Sequence, residues 1–155
     1  MLWGVLICLG LLALIHLSFK SLAFFRQTKL SSPVLSLAFI FKLSGAIALF
    51  LIYSYHYQDR SNSDIFKYYD DAVLIYSHPD WQITALGNLF ESASERSPSS
   101  ISILKDTQHW DQQWHILPND NRLMTLLNLL LLYISQDFYL FHLLCFTFLS
   151  FVGSI

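Results

Sequence analysis

Leu2 to Phe19 and Leu43 to Tyr53 are apolar on every face, with no polar stripe at the helical period. A helix in a soluble core shows one apolar stripe, so helices apolar all round predict segments solvated by lipid. The pattern predicts a first span over 1–19 with Trp3 near one end, and a second over 34–57. Tyr53, Tyr55, His56 and Tyr57 close the second span as an aromatic girdle. A third span is predicted over 138–155, with a polar trace at His142. Between the first two, Lys20, Arg26 and Lys29 with Ser31, Ser32 and Pro33 make a basic linker over 20–33.

After the second span the period changes. Ile65, Tyr69, Ala72 and Tyr76 recur at helical spacing, flanked by Phe66 and Val73, with Asp64, Lys67 and Asp71 on the opposite side. This predicts an amphipathic helix over 62–77. Ser61 and Asp64 have capping-box spacing, and His78-Pro79 stops the helix, because a residue before proline avoids the helical region. A second short amphipathic helix is predicted over 80–91, with Trp81, Leu86, Leu89 and Phe90 apolar. Residues 92–102 read as a polar linker and 105–118 as an ordered loop. The apolar run from Leu123 to Ile134 within a helix over 122–135 would be roughly 18 Å long, too short for a hydrocarbon core of about 30 Å. It predicts an interfacial or re-entrant helix whose narrow polar side, Thr125, Asn128 and Ser135, faces protein.

The expected fold is therefore all-α: a polytopic membrane protein with three transmembrane helices and an outer loop containing amphipathic juxtamembrane helices. Composition agrees, with 54% hydrophobic and 13% charged residues in 155. Charge assigns the sides. All eleven acids lie at or beyond Asp59, so the first 58 residues carry four bases and no acid, whereas 58–121 holds ten acids against four bases, a net −6. By the positive-inside rule the 20–33 linker is cytoplasmic, which places Met1 and the acidic 58–121 loop on the periplasmic or extracellular side of the plasma (inner) membrane. Three domains follow: 1–57 with two spans, the acidic loop 58–121, and 122–155 with the interfacial helix and the third span. No basic anchor follows Ile155, which predicts a truncated chain with the missing C-terminal part of the same protein as a partner. Cys8 and Cys145 both fall in apolar runs, where a thiol behaves as a small hydrophobe, and no Cys/His zinc spacing occurs. There is no Gly-rich phosphate loop and no basic nucleic-acid face, so no nucleic-acid partner is expected.

Candidate chemistry concentrates just outside the second span. Asp64, Asp70 and Asp71 are candidate catalytic acids, with Lys67 and Tyr68 beside them as candidate substrate-binding residues. A carboxylate serves as general base for a hydroxyl or as ligand to a divalent cation. The ordinary alternative is a helix-start residue at Asp64 and a solvated helix face at Asp70 and Asp71, with Lys67 and Asp71 available for an i,i+4 pair. His109, Asp111 and His115 are metal-ligand types in one short loop, although their spacing matches no recurrent zinc pattern.

The segment Asp64-x-x-x-Tyr68-x-x-x-Ala72, following a span and leading into amphipathic helices, resembles the first outer loop of the GT-C glycosyltransferases, where a pattern like D-E-x-x-Y-x-x-x-A carries an active-site acid. Ile65 stands where many relatives have a second acid, and an extra span precedes the one that should be first. The resemblance covers the layout of roughly residues 34–80. It implies a membrane enzyme that moves a sugar from a polyprenyl-phosphate donor on the outer face, with membrane lipid and that donor as partners, a divalent metal ion as cofactor, and Asp64 as base or metal ligand assisted by Asp70 or Asp71. The alternatives are a polysaccharide polymerase or ligase, which the −6 loop disfavours for a pyrophosphate-linked substrate, and a non-catalytic membrane subunit or remnant.

Overall fold

A computed structural model describes residues 2–56, 64–90, 97–107 and 121–155. Among the described residues every element is helical, and no strand occurs. The chain divides into two compact units, Met1–Gln58 with Phe138–Ile155, and Asp59–Asp137.

The first unit is a bundle of α1 (Leu2–Ser21), the short α2 (Ala23–Gln27), α3 (Ser32–Tyr55) and α7 (Tyr139–Val152). Pro33 sits in the first turn of α3, where its missing N–H costs nothing. α1 and α3 are long and apolar enough to cross a membrane, at 20 and 24 residues. Only 17% and 11% of their apolar windows are buried, whereas the core helix of a soluble protein would be mostly covered. α7, with 14 residues, is shorter than the 138–155 span expected from the apolar run. Its last turn closes at Gly153, whose N–H bonds to the Leu149 carbonyl. The 20–33 linker is not all irregular either, because α2 folds inside it and buries Phe25.

Aromatic contacts give the directions. A Cβ on Gly4 would run into the ring of Phe138, and Phe19 lies 5.7 Å from Phe151, so α7 runs parallel to α1 for nearly its whole length. Phe50 stacks on Tyr139 at 5.1 Å and Phe39 meets Phe151 edge-on at 5.5 Å, so both helices run antiparallel to α3. The core lies at the end of the bundle next to α2, where Ile15, Phe19, Phe25, Leu35, Phe39, Leu144 and Phe151 pack together.

Lys42, in the middle of apolar α3, meets the end of α7. Its Nζ donates to the Ser150 carbonyl and to Ser154 Oγ, both at 2.8 Å, so an ammonium sits at the negative end of a helix dipole. Lys42→Met removes hydrogen bonds to a charged donor, about 1.5–3 kcal/mol. It also relieves the desolvation of a charge, and such exchanges for apolar residues of similar volume are often near neutral. We expect global stability to move by less than about 1 kcal/mol while amide exchange over 150–155 accelerates. Unchanged exchange there would show that Lys42 does not hold the end of α7.

The second unit packs α4 (Asp64–Ser77) along α6 (Asn121–Ser135), with α5 (Pro98–Leu104) against another side of α4. α4 starts at Asp64; the expected Ser61 cap lies outside the described residues. His78-Pro79 ends the helix as expected. Residues 80–90 do not form an α-helix. Ile83–Phe90 is a 3-10 helix, in which Ile83, Leu86 and Leu89, three residues apart, fall on one side. The expected polar linker 92–102 is helical from Pro98. Ser97-Pro98 is an N-cap followed by a first-turn proline, and Ser97 Oγ accepts the Ser100 N–H at 3.2 Å.

α6 turns its polar positions inward. Thr125, Asn128 and Ser135 are buried, alternating with fully buried Leu129 and Leu132, while Leu123, Leu130 and Ile134 are exposed. The expectation that the polar side of this helix faces protein holds.

Candidate functional site

α4 positions the candidate acids. Phe66, Tyr69, Ala72 and Ile75 are buried on it, and so is Asp71, at 1% exposure. At 3.6 residues per turn these positions cover well over half the helix circumference, more than one amphipathic stripe, because α4 is flanked by both α6 and α5. The solvated-face reading of Asp71 is therefore corrected: this carboxylate is enclosed, and it interacts with other groups of the protein. Asp70, Lys67 and Tyr68 are half-buried, and each also has an interaction within the protein. Asp64 is the first residue of α4, seven positions before Asp71. Positions 64, 71 and 75 fall on one line of the helix, about two turns separating the two acids. His109, Asp111 and His115 lie outside the described residues.

Hydrogen bonds tie α4 and its continuation to α6. Tyr69 Oη donates to Asp137 Oδ1 at 2.6 Å. Asp137 and Gln136 have φ of 69° and 48°, a left-handed pair that ends α6, and Tyr69 holds that break against α4. Trp81 Nε1 donates to Tyr133 Oη at 2.9 Å, and Tyr76 meets the Tyr133 ring edge-on at 5.1 Å. His78 Nδ1 accepts the Asp80 N–H at 3.2 Å; its Nε2 then carries the proton and donates to Ser102 Oγ at 3.2 Å, joining the end of α4 to α5. The pairing role of Asp137 had no signal in the sequence beyond an acid at a helix break, where αL is tolerated.

Thr125 is fully buried on α6, and its Oγ1 has no hydrogen-bond partner among the described residues. A hydroxyl left unpaired in the interior costs about 1–3 kcal/mol. Thr125→Val, nearly the same shape without the hydroxyl, is expected to raise stability by about 1 kcal/mol, read from chemical denaturation. A loss of that size would mean the hydroxyl is used.

Chemically, α4 offers a carboxylate held away from bulk water at Asp71, a second acid at position 64 in line with it, and a half-buried lysine and tyrosine between them. Such a set can accept a proton from a hydroxyl and bind a polar headgroup. Among the described residues no group of three His, Cys, Asp or Glu converges. A divalent ion here would thus be held by one or two carboxylates together with substrate oxygens, the mode Mg²⁺ adopts with phosphates. No protein-family profile, curated protein or solved structure matches the chain.

Proposed function

We propose that this protein is an integral-membrane glycosyltransferase of the GT-C kind, which takes a sugar from a polyprenyl-phosphate donor on the outer face of the plasma membrane. The observation that carries the reading is Asp71: a carboxylate enclosed by protein on α4, the next helix after lipid-length α3 among the described residues, in register with Asp64.

Membrane placement is supported by the bundle. α1 and α3 have the length and apolarity of spans. α7 lies beside α1 from Gly4 to Phe19; at 14 residues it is shorter than α1 and α3, and we take it as the third membrane helix. Lys20, Arg26 and Lys29 cluster at one end of the bundle with no acid before Asp59, which makes that end cytoplasmic and the segment between α3 and α7 external. The exposed Leu123, Leu130 and Ile134 of α6 suit contact with the outer leaflet.

In the reaction the acceptor hydroxyl oxygen attacks the anomeric carbon of the donor. The bond from that carbon to the phosphate oxygen breaks with its electron pair leaving on polyprenyl phosphate, and the hydroxyl proton passes to a carboxylate, Asp71 or Asp64. The other acid and Asp70 assist, while Lys67 and Tyr68 hold the phosphate and sugar. A divalent ion, where bound, neutralises the leaving phosphate.

The test is transfer from a radiolabelled polyprenyl-phosphate sugar in membranes containing the native gene product. Asp64→Asn and Asp71→Asn are each expected to reduce transfer at least about 100-fold, the contribution of a general base, with protein level and helicity unchanged. Full transfer in both variants would instead identify a non-catalytic membrane subunit.

A further inference from the structure

The corner where α1, α2 and the start of α3 meet carries positive charge that no acid among the described residues neutralises. Lys20 lies in the last turn of α1, Arg26 lies in α2, and Lys29 follows with φ of 59°. All three are exposed, and none forms an ion pair among the described residues. His16 stands one turn before Lys20 on the same face of α1, also exposed. Its Nδ1 pairs with Ser36 Oγ of α3 at 2.9 Å, which leaves Nε2 for a further partner.

The bases are set on a rigid frame. Phe25 is 2% exposed and packs edge-on against Phe19 at 4.8 Å, pinning α2 to the bundle core. Thr28 Oγ1 donates to the Phe25 carbonyl at 2.7 Å and accepts the Leu30 N–H at 3.2 Å, fixing the turn that carries Lys29. Interleaved with the bases, Leu22, Phe24 and Leu30 are about half exposed. This surface is continuous with the apolar flanks of α1 and α3, and it alternates bases with apolar side chains at the end of lipid-length helices.

We propose that this corner binds the headgroup of an anionic phospholipid of the cytoplasmic leaflet. Lys20, Arg26, Lys29 and His16 take the phosphate and its negative surroundings, and Leu22, Phe24 and Leu30 enter the boundary between headgroups and acyl chains. Charge complementarity selects the occupant: three bases without an ion pair among the described residues, in a stretch of the chain with no acid before Asp59, fit an anionic lipid and not a zwitterionic one. The inference rests on the membrane placement above and is independent of sugar transfer.

The experiment is binding of fluorescent phosphatidylglycerol and phosphatidylcholine with identical acyl chains to the intact protein in neutral detergent. Phosphatidylglycerol is expected to bind at least about tenfold more tightly at low salt, with the preference fading at high salt. Lys20→Gln, Arg26→Gln and Lys29→Gln should each weaken it about fivefold, the equivalent of about 1 kcal/mol per base near an anionic surface. Phosphatidylcholine binding should stay unchanged and Lys20→Arg should retain the preference. Equal affinities for the two lipids in the unmodified protein, or a preference that survives high salt, would overturn the proposal. So would displacement of the lipid by free glycerol phosphate at similar concentration, which would mark a soluble-phosphate site. If a variant loses both lipids through misfolding, the salt series on the unmodified protein decides alone.

Discussion

Leu132→Ala is expected to destabilise the second unit by about 2–5 kcal/mol, the range for truncating a buried leucine that leaves a cavity. Leu132 and Leu129 on α6 are fully buried, as are Ala72 and Ile75 on α4, and these two helices form the main packing of the unit. The small side chain at Ala72 lets α6 approach, so little neighbouring volume is free to fill a hole. Because α4 and α6 share that packing, loss at position 132 should lower amide protection in α4 as well as in α6. Leu130→Ala is the matched control. Leu130 is 41% exposed on the opposite side of α6, and its truncation should change unfolding by well under half as much. Equal effects at 130 and 132 would contradict the inward and outward faces described for α6.

Gly4→Leu is expected to lower the melting temperature of the first unit sharply, because the added Cβ alone would overlap the Phe138 ring. Overpacking of this kind costs about 1–3 kcal/mol even for a few added methylenes. The sign is informative. Leaving glycine normally gains up to about 1 kcal/mol inside a helix, so a loose α1–α7 contact would make the substitution stabilising. Gly10 supplies that comparison, since nothing lies within 4 Å of its would-be Cβ, and Gly10→Leu should be neutral or favourable. Phe138→Ala combined with Gly4→Leu should recover part of the loss, a coupling of about 0.5–3 kcal/mol between touching residues. Additive losses in the double variant would place Phe138 away from Gly4.

Several features were legible in the chain because they depend on near neighbours. All-round apolarity marks α1 and α3; Ser97-Pro98 and His78-Pro79 are local punctuation, the first obscured by the serine-rich stretch around it. The inward polar side of α6 was legible from Thr125, Asn128 and Ser135 at helical spacing. A few apolar residues spaced three apart satisfy either helical period, so the pattern alone does not separate the 3-10 helix at Ile83–Phe90 from an α-helix.

Other features needed the packed molecule. Asp71 reads as a solvent-facing acid when α4 is given a single apolar stripe; its burial follows from α5 and α6 both packing on α4, and the sequence carries no local mark of a second neighbour. Lys42 is a base inside an apolar helix, and its partner is the end of α7, more than a hundred residues away. Tyr69 finds Asp137 across 68 residues. The sequence by itself determined helical class, lipid-like spans and the charge asymmetry, since periodicity and composition act over one or two turns. The tertiary structure decided which charges are enclosed and what they meet, because burial depends on which distant helices cover a face.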